Sequence, residues 1–190
     1  MKPPRRGEIE LICGPMFGGK TTRLIECLTQ ARSMGQSVIT FKPGRDTRYS
    51  VSEIVSHTHR SFDAVAIEAA GSMIALTRSA ELLAIDELHF FQPDIADVLQ
   101  QIIRSNLAIV AAGVDYDHRG RIFPAVAATA SIANRVTRVT ATCTRCGAEA
   151  KFTQRMTGGD EPIVVGGAGD YEPRCTTCFD PDFHPGRGAG

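Results

Sequence analysis

The chain has 190 residues, 43% of them hydrophobic, and its 21 Lys and Arg residues balance 21 Asp and Glu residues. This composition is typical of a globular protein with one good-sized domain, and it excludes a disordered chain. Zero net charge gives no basic footprint for nucleic acid, and no apolar run reaches the ~20 residues that span a bilayer. Without a signal-peptide pattern near the start, we expect a cytoplasmic protein that binds neither nucleic acid nor a membrane.

The first elements along the chain predict a parallel α/β sheet. Ile9–Cys13 is a short apolar run closed by glycine and proline, which is typical of a buried strand. From Lys20 the apolar side chains recur at helical spacing until Gly35, and Val38–Phe41 then predicts a second strand. A strand, loop, helix and strand in this order form a βαβ unit, whose two strands lie parallel.

The same pattern continues through the middle of the chain. Leu82–Ile85 predicts a buried strand, a helix begins near Pro93, and Leu107–Ala112 predicts a further strand. Residues 113–124 are polar and aperiodic, so they predict a long loop.

A glycine-rich loop joins the first strand to the first helix. It matches G-x-x-x-x-G-K-[ST] at every fixed position, and the residues concerned are Gly14, Pro15, Met16, Phe17, Gly18, Gly19, Lys20 and Thr21. The backbone N–H groups of such a loop surround the phosphates of a nucleoside triphosphate, at the positive end of the following helix. We expect the lysine to reach the β- and γ-phosphates and the threonine hydroxyl to hold Mg²⁺.

Two carboxylates follow the strand Leu82–Ile85. Asp86 occupies the usual place of the acidic residue that holds the Mg²⁺ of a P-loop enzyme, and it should face the same crevice as Lys20. Glu87 then remains available to accept a proton from an attacking hydroxyl or water. The alternative is that both residues only serve the N-terminal end of the helix near Pro93.

Four cysteines near the end of the chain form two C-x-x-C pairs, at Cys143 and Cys146 and at Cys175 and Cys178. Four thiolates suit one tetrahedral Zn²⁺, which we favour over a redox pair or an iron–sulfur cluster. The stretch between the pairs is longer than in common zinc ribbons, so an excursion with another purpose is expected. Cys13 and Cys27 are expected to pack in the core.

These patterns define the expected fold class and domains. We predict a P-loop parallel sheet flanked by helices in residues 1–139, and a small zinc-bound, β-rich lasso in residues 140–180. Residues 181–190 are rich in Pro and Gly and predict a disordered tail.

Several segments together carry a family resemblance. They are the phosphate loop, Lys42–Tyr49, Asp86–Phe91, the loop Gly113–Gly120, both cysteine pairs and Gly166–Tyr171. The second segment contains D-T-R-Y, and the third parallels the family's D-E-A-Q-F-F. In this order they resemble the type II, cytosolic-type thymidine kinases, over roughly residues 8–179.

The resemblance implies transfer of the γ-phosphoryl group of ATP to the 5′-hydroxyl of thymidine, with deoxyuridine as a further acceptor, in nucleotide salvage for DNA synthesis. It implies Glu87 as the catalytic base, a homotetramer, and inhibition by the corresponding triphosphate. Near the phosphates and metal it places Asp46, Arg48 and His89. Around the nucleoside it places Met16, Phe90, Val114, His118, Thr153, Val165, Gly167 and Tyr171.

The departures from the family pattern cluster in the expected nucleoside pocket. His89 stands where the family has Gln, and Val114 and His118 stand where it has Leu and Phe. A histidine in place of phenylalanine exchanges an apolar stacking ring for a smaller, titratable one. The residues expected to bind the phosphates follow the family pattern, whereas the sequence leaves open which nucleoside is preferred.

Two alternatives to a thymidine kinase also remain open. One is a kinase of the same fold for a different nucleoside or related small molecule. The other is a P-loop ATPase switch whose zinc segment binds a partner.

Overall fold

The computed structural model describes residues 1–46, 52–56, 59–157 and 165–184. The strands are β1 (Ile9–Gly14), β2 (Val38–Pro43), β3 (Glu53–Val55), β4 (Ser61–Asp63), β5 (Val65–Ile67), β6 (Leu82–Ile85), β7 (Ala108–Val114), β8 (Arg135–Arg138), β9 (Ala141–Thr142), β10 (Glu149–Ala150), β11 (Phe152–Arg155) and β12 (Tyr171–Arg174). The helices are α1 (Lys20–Ser33), α2 (Met73–Leu76), α3 (Ile95–Ile103) and α4 (Pro124–Ile132), with 3₁₀ turns at Ala70–Ser72 and Leu88–Phe90.

A parallel sheet forms the centre of the fold. Its strand order in the described residues is β5-β2-β6-β7-β1-β8, with parallel pairing at each step. Every residue of β1, β6 and β7 is buried, because helices cover both faces and leave no polar side to the central strands. The predicted parallel α/β sheet flanked by helices is therefore confirmed.

The helices divide between the two faces of the sheet. One apolar core includes residues of α3 and α4, and the other includes Leu24, Cys27 and Leu28 of α1. The predicted packing of Cys13 and Cys27 in the core is confirmed, since both side chains are buried. Helix α3 begins at Ile95, two residues after the predicted start at Pro93.

The loop after β7 is more ordered than its composition predicts. β7 extends to Val114, and Tyr116 and Ile122 then form a bridge across the turn. Within the turn, the Asp117 carboxylate accepts hydrogen bonds from the backbone N–H of Arg119 and from the backbone and side chain of Arg121, each 2.9 Å long. One buried carboxylate thus shapes the whole turn.

The C-terminal segment lies outside the main sheet. β9 pairs with β10 and β11 with β12, each pair antiparallel, around a small core made by Cys143, Ala150 and Cys175. Aromatic rings connect this segment to the loop after β7, since Phe152 stacks on Phe179 at 4.5 Å and lies 5.4 Å from Tyr116. The division at residue 140 and the disordered tail 181–190 remain predictions, and residues 185–190 lie outside the described part of the chain.

None of the helices in the described part of the chain has both the length and the apolarity needed to span a bilayer.

Candidate active site

A cavity of about 420 Å³ opens at the carboxyl ends of the central strands. Ligands of open α/β sheets bind at this edge, since the loops that follow the strands converge there. The cavity lies between the phosphate loop, the 3₁₀ turn after β6, the loop after β7 and the strands β11 and β12. Of the predicted site residues, those that line it are Met16, Phe17, Gly19, Lys20, Thr21, Asp46, Asp86, Glu87, His89, Phe90, Val114, His118, Thr153 and Tyr171.

Glycine is required at two places in the phosphate loop. Gly14 has φ 149°, and a Cβ there would lie 2.3 Å from the backbone oxygen of Val139. Gly19 has φ 78°, in the left-handed region, and it caps helix α1 where the loop turns into the first helical residue, Lys20. Gly14, Pro15 and Gly18 shape this loop without lining the cavity.

Lys20 is buried at the start of α1. Its Nζ donates a 2.6 Å hydrogen bond to the backbone oxygen of Pro15, at the opposite side of its own loop. The ammonium group therefore lies within the ring of backbone groups that the motif provides for phosphate oxygens.

Thr21 and Asp86 meet at the base of the cavity. The Thr21 hydroxyl donates a 3.0 Å hydrogen bond to Asp86 Oδ2. Burial, followed by the charge of Glu87, raises the pKa of Asp86 to about 7. A buried carboxylate that resists ionisation gains from a nearby cation, and a hydroxyl beside a carboxylate is an oxygen donor set that suits Mg²⁺. These two residues therefore fit the predicted metal site.

Glu87 has an unusual backbone conformation, with φ 52° and ψ 42°. A residue other than glycine in the left-handed region is strained, and such residues are found most often at functional sites. The Glu87 N–H donates a 3.0 Å hydrogen bond to Asp86 Oδ1, which ties the turn to the Asp86 carboxylate. Both acidic side chains consequently face one cavity.

His89 packs beneath Glu87. Its Nδ1 accepts a 3.3 Å hydrogen bond from the backbone N–H of Val114 and lies 3.4 Å from Glu87 Oε2. Because Nδ1 accepts the Val114 N–H through its lone pair, it has no hydrogen to donate to Glu87 in this arrangement. The ring also lies 4.3 Å from Phe90 and 5.0 Å from Phe123, between centroids.

A hydrogen bond joins the phosphate loop to the C-terminal segment. The Met16 N–H donates to Thr153 Oγ1 on β11 at 3.0 Å. On the same strand, Arg155 is 2% exposed, and its guanidinium lies 5.7 Å from the centre of the Tyr171 ring. The two C-terminal strands thus form the wall of the cavity that faces the phosphate loop.

His118 enters the cavity from the loop after β7. It is 9% exposed, and its Nδ1 is buried without a hydrogen-bonding partner among the described residues. Burial, followed by the positive charge of Arg155, lowers the pKa of His118.

Some of the cavity residues were not predicted from the sequence. Lys42, at the end of β2, is 2% exposed; its Nζ lies 3.7 Å from Asp46 Oδ2 and donates to the Glu53 carbonyl at 3.3 Å. Phe123 and Arg155 also line the cavity. For Lys42 the sequence did contain a signal, because it lies within the apolar run that forms β2 and a buried lysine needs a partner or a ligand.

A few predicted residues lie away from the cavity or outside the described residues. Val165 is 42% exposed, and the residues near it that line the cavity are Gly166 and Ala168 rather than Gly167. Arg48 lies outside the described residues.

The four cysteines form a compact cluster. Their Sγ atoms all lie within 4.8 Å of one another, and those of Cys146 and Cys175 are 3.6 Å apart. Desolvation raises the pKa of Cys143, but backbone N–H groups of Cys175, Arg145 and Cys146 outweigh it and lower the pKa to about 6. Hydrogen bonds with Cys146 and Cys175 raise the pKa of Cys178 to about 12. Four sulfur atoms this close together fit the ligand set of a tetrahedral cation such as Zn²⁺.

Comparison with known proteins assigns the chain to a family. A family model described as thymidine kinase matches residues 7–179. A thymidine kinase of Bacteroides fragilis is 38% identical over 175 residues, which covers 92% of this chain and 88% of the relative. A thymidine kinase of Roseiflexus sp. (strain RS-1) is 42% identical over 185 residues, which covers 92% of this chain and 96% of the relative. The chain therefore belongs to the thymidine kinase family.

Proposed function

We propose that this protein transfers the γ-phosphoryl group of ATP to the 5′-hydroxyl of thymidine, and also accepts deoxyuridine, in the salvage of nucleosides for DNA synthesis. The observation that carries the proposal is that Glu87 lies beside the Thr21–Asp86 pair in one cavity. A base next to a metal site, in the same cavity as a phosphate loop, has the arrangement that phosphoryl transfer to a hydroxyl requires.

The phosphate loop and Lys20 bind the triphosphate in this proposal. The loop supplies backbone N–H groups, and Lys20 exchanges its hydrogen bond to Pro15 for the β- and γ-phosphates. Thr21 and Asp86 would hold Mg²⁺, which neutralises phosphate charge when bound. We also assign Asp46, His89 and Arg48 to the donor side, on the strength of the family resemblance alone.

Glu87 acts on the acceptor. Its carboxylate takes the proton of the 5′-hydroxyl as the hydroxyl oxygen forms a bond to the γ-phosphorus. The bond from that phosphorus to the bridging oxygen breaks, and its electron pair leaves with ADP. Because the transition state is loose, Glu87 mainly positions the hydroxyl, so its removal lowers the rate without abolishing nucleotide binding.

The nucleoside binds between the two walls of the cavity. Met16, Phe90 and Val114 supply apolar contacts, while Thr153 and Tyr171 supply polar groups from the C-terminal wall. We also include His118, Val165 and Gly167 in the nucleoside-binding set, on the strength of the family resemblance. Closure of the loop after β7 together with this wall excludes water from the acceptor.

Glu87→Gln tests the proposal. We expect the purified protein to phosphorylate thymidine and the variant to lose about 10²–10⁴-fold in kcat, with similar affinity for ATP. Glu149→Gln, at an exposed glutamate on β10, is the matched control and should keep full activity. Unchanged turnover in E87Q would remove Glu87 from the mechanism, and a panel of nucleosides assayed in parallel identifies a different acceptor.

The cysteine cluster supports a structural Zn²⁺ held by Cys143, Cys146, Cys175 and Cys178. Their own core is too small to fold the segment, and structural zinc contributes about 10–16 kcal/mol in peptide modules. We also propose that residues 1–139 and 140–180 act as a nucleotide-binding domain and a zinc lasso. The family resemblance further supports a cytoplasmic homotetramer.

A further inference from the structure

The strand β11 has two faces with different surroundings. Successive side chains of a strand point to opposite sides of the sheet. Thr153 and Arg155 line the cavity, whereas Phe152 and Gln154, which alternate with them, do not. The face made by Phe152 and Gln154, the outer face of β11, therefore lies outside the cavity in which phosphoryl transfer is proposed.

The residues directly after the last cysteine pack on this outer face. The Phe179 ring stacks on Phe152, with 4.5 Å between the ring centroids and 14° between the ring planes. The Gln154 amide donates to the Asp180 carbonyl and accepts from the Asp180 N–H, both at 2.9 Å. The Phe179 N–H donates to the Cys175 carbonyl at 2.9 Å. Hydrogen bonds on both sides and the ring of Phe152 thus hold Phe179 in place.

The loop after β7 contacts the same two rings. The Tyr116 ring lies 5.4 Å from the Phe152 ring, between centroids. Gly120 lies so close to Phe179 that a Cβ added to it would be 3.2 Å from the ring atom Cε1. Tyr116 and the two residues after it also line the cavity. The part of the loop that faces the cavity is therefore held at both ends by the stacked rings.

We propose that Phe179 is a positioning residue for acceptor binding, because its ring holds the loop after β7 against the cavity. This inference rests on the proposed nucleoside kinase function. Phe179 does not line the cavity, so it acts through the loop rather than on the nucleoside. Surface loops open locally at little cost in free energy, and aromatic contacts from a second segment oppose that opening. The cavity-lining residues of the loop then stay in place when the nucleoside binds.

Limited digestion with trypsin measures opening of the loop directly. Arg119 and Arg121 are exposed residues of the loop, and Arg78, exposed in the turn before β6, is a reference site. In F179A we expect cleavage after Arg119 and Arg121 to be at least about fivefold faster, because proteolysis follows the population of the locally open state. Cleavage after Arg78 should not change.

Three further variants separate the stack from other effects. F152A removes the ring that contacts both Phe179 and Tyr116, so it should open the loop as F179A does and gives an independent test. F179M fills the same space with a side chain that contacts aromatic rings favourably, and it should digest within about twofold of the unsubstituted protein. F183A, at a half-buried phenylalanine of the same segment that is not part of the stack, is the matched control and should change nothing.

Steady-state kinetics test whether the position of the loop matters to the acceptor. F179A and F152A should raise the KM for thymidine roughly tenfold, while the KM for ATP stays within about twofold. A general loss of structure would instead affect both substrates. F179M and F183A should keep both constants.

The outcomes distinguish this inference from the function beneath it. Loop cleavage at one rate in F179A, F152A and the unsubstituted protein would refute the inference. Faster cleavage after Arg78 as well would also refute it, because the rings would then stabilise the whole fold rather than the loop. Faster loop cleavage with an unchanged KM for thymidine would show that Phe179 has no role in acceptor binding. If the unsubstituted protein phosphorylates no nucleoside, the proposed function itself is wrong, and the digestion still reports whether Phe179 holds the loop.

Discussion

At the scale of single residues, the site depends on backbone conformations as much as on side-chain chemistry. Glu87 faces the cavity from a left-handed backbone, and Gly14 lets β1 pass close to Val139. Asp86 and Glu87 could be predicted from the sequence because they follow an apolar strand directly. Lys42 had only the weak signal of a lysine within an apolar run, and Arg155 had none, since it becomes part of the site through the folding of the C-terminal segment against the phosphate loop.

Gly14→Ala tests the close approach at the start of the phosphate loop. The added Cβ would meet the Val139 backbone oxygen at 2.3 Å, so the strand or the loop must shift. We expect a loss of at least about 3 kcal/mol in the free energy of unfolding, measured with urea, together with weaker ATP binding. Gly35→Ala is the matched control, because Gly35 has φ 78° and, apart from its chain neighbours, no atom of the described residues lies within 4 Å of an added Cβ. It should cost only about 1–2 kcal/mol. Equal losses in the two variants would contradict the role given to Val139.

At the scale of elements, apolar periodicity predicted the central strands and helices α1 and α3, whose faces are buried and regular. It missed α4, where Pro124 begins an alanine-rich helix without a distinct polar face. It also missed β8, a strand with exposed arginines at both ends that lies at the edge of the sheet, and the three-residue β5. Edge and short strands have little apolar pattern, because neighbouring elements rather than their own sequence stabilise them.

Thr153→Val tests the connection between the phosphate loop and the C-terminal wall. Valine keeps the volume but removes the hydroxyl that accepts the Met16 N–H. We expect the free energy of unfolding to fall by about 1–3 kcal/mol and the KM for the acceptor to rise, since a loop N–H loses its partner. Thr153→Ser should restore both values. The control is Thr142→Val at an exposed position on β9; a loss there as large as in T153V would mean that the hydrogen bond has no special role.

At the scale of the whole molecule, the cavity lies between the nucleotide-binding sheet and the cysteine-rich segment, and each supplies one side of it. The phosphate loop predicted the first side by its motif alone. The C-x-x-C pairs predicted the compact cluster, but their spacing could not predict that β11 and β12 would face the phosphate loop. The stacking of Phe152 on Phe179 and the contact with Tyr116 depend on the folded chain.

Removal of the metal tests whether zinc holds the C-terminal side of the cavity in place. We expect one Zn²⁺ per chain by elemental analysis, lost in Cys146→Ser or on chelation. Without it the acceptor wall should loosen, so that the KM for thymidine rises at least about tenfold while ATP still binds. Arg145→Ala, in the same exposed turn, should keep both the metal and the KM. A metal-free protein with an unchanged KM for thymidine would show that the lasso does not depend on zinc.

The most direct test of the account follows the γ-phosphoryl group itself. Purified protein is incubated with ATP labelled at the γ-phosphate, with thymidine or with 5′-deoxythymidine, which lacks the reacting hydroxyl. We predict that the label moves to thymidine 5′-monophosphate and that 5′-deoxythymidine remains unlabelled. Release of labelled inorganic phosphate at one rate with either nucleoside, or with none, would contradict the account and indicate an ATPase.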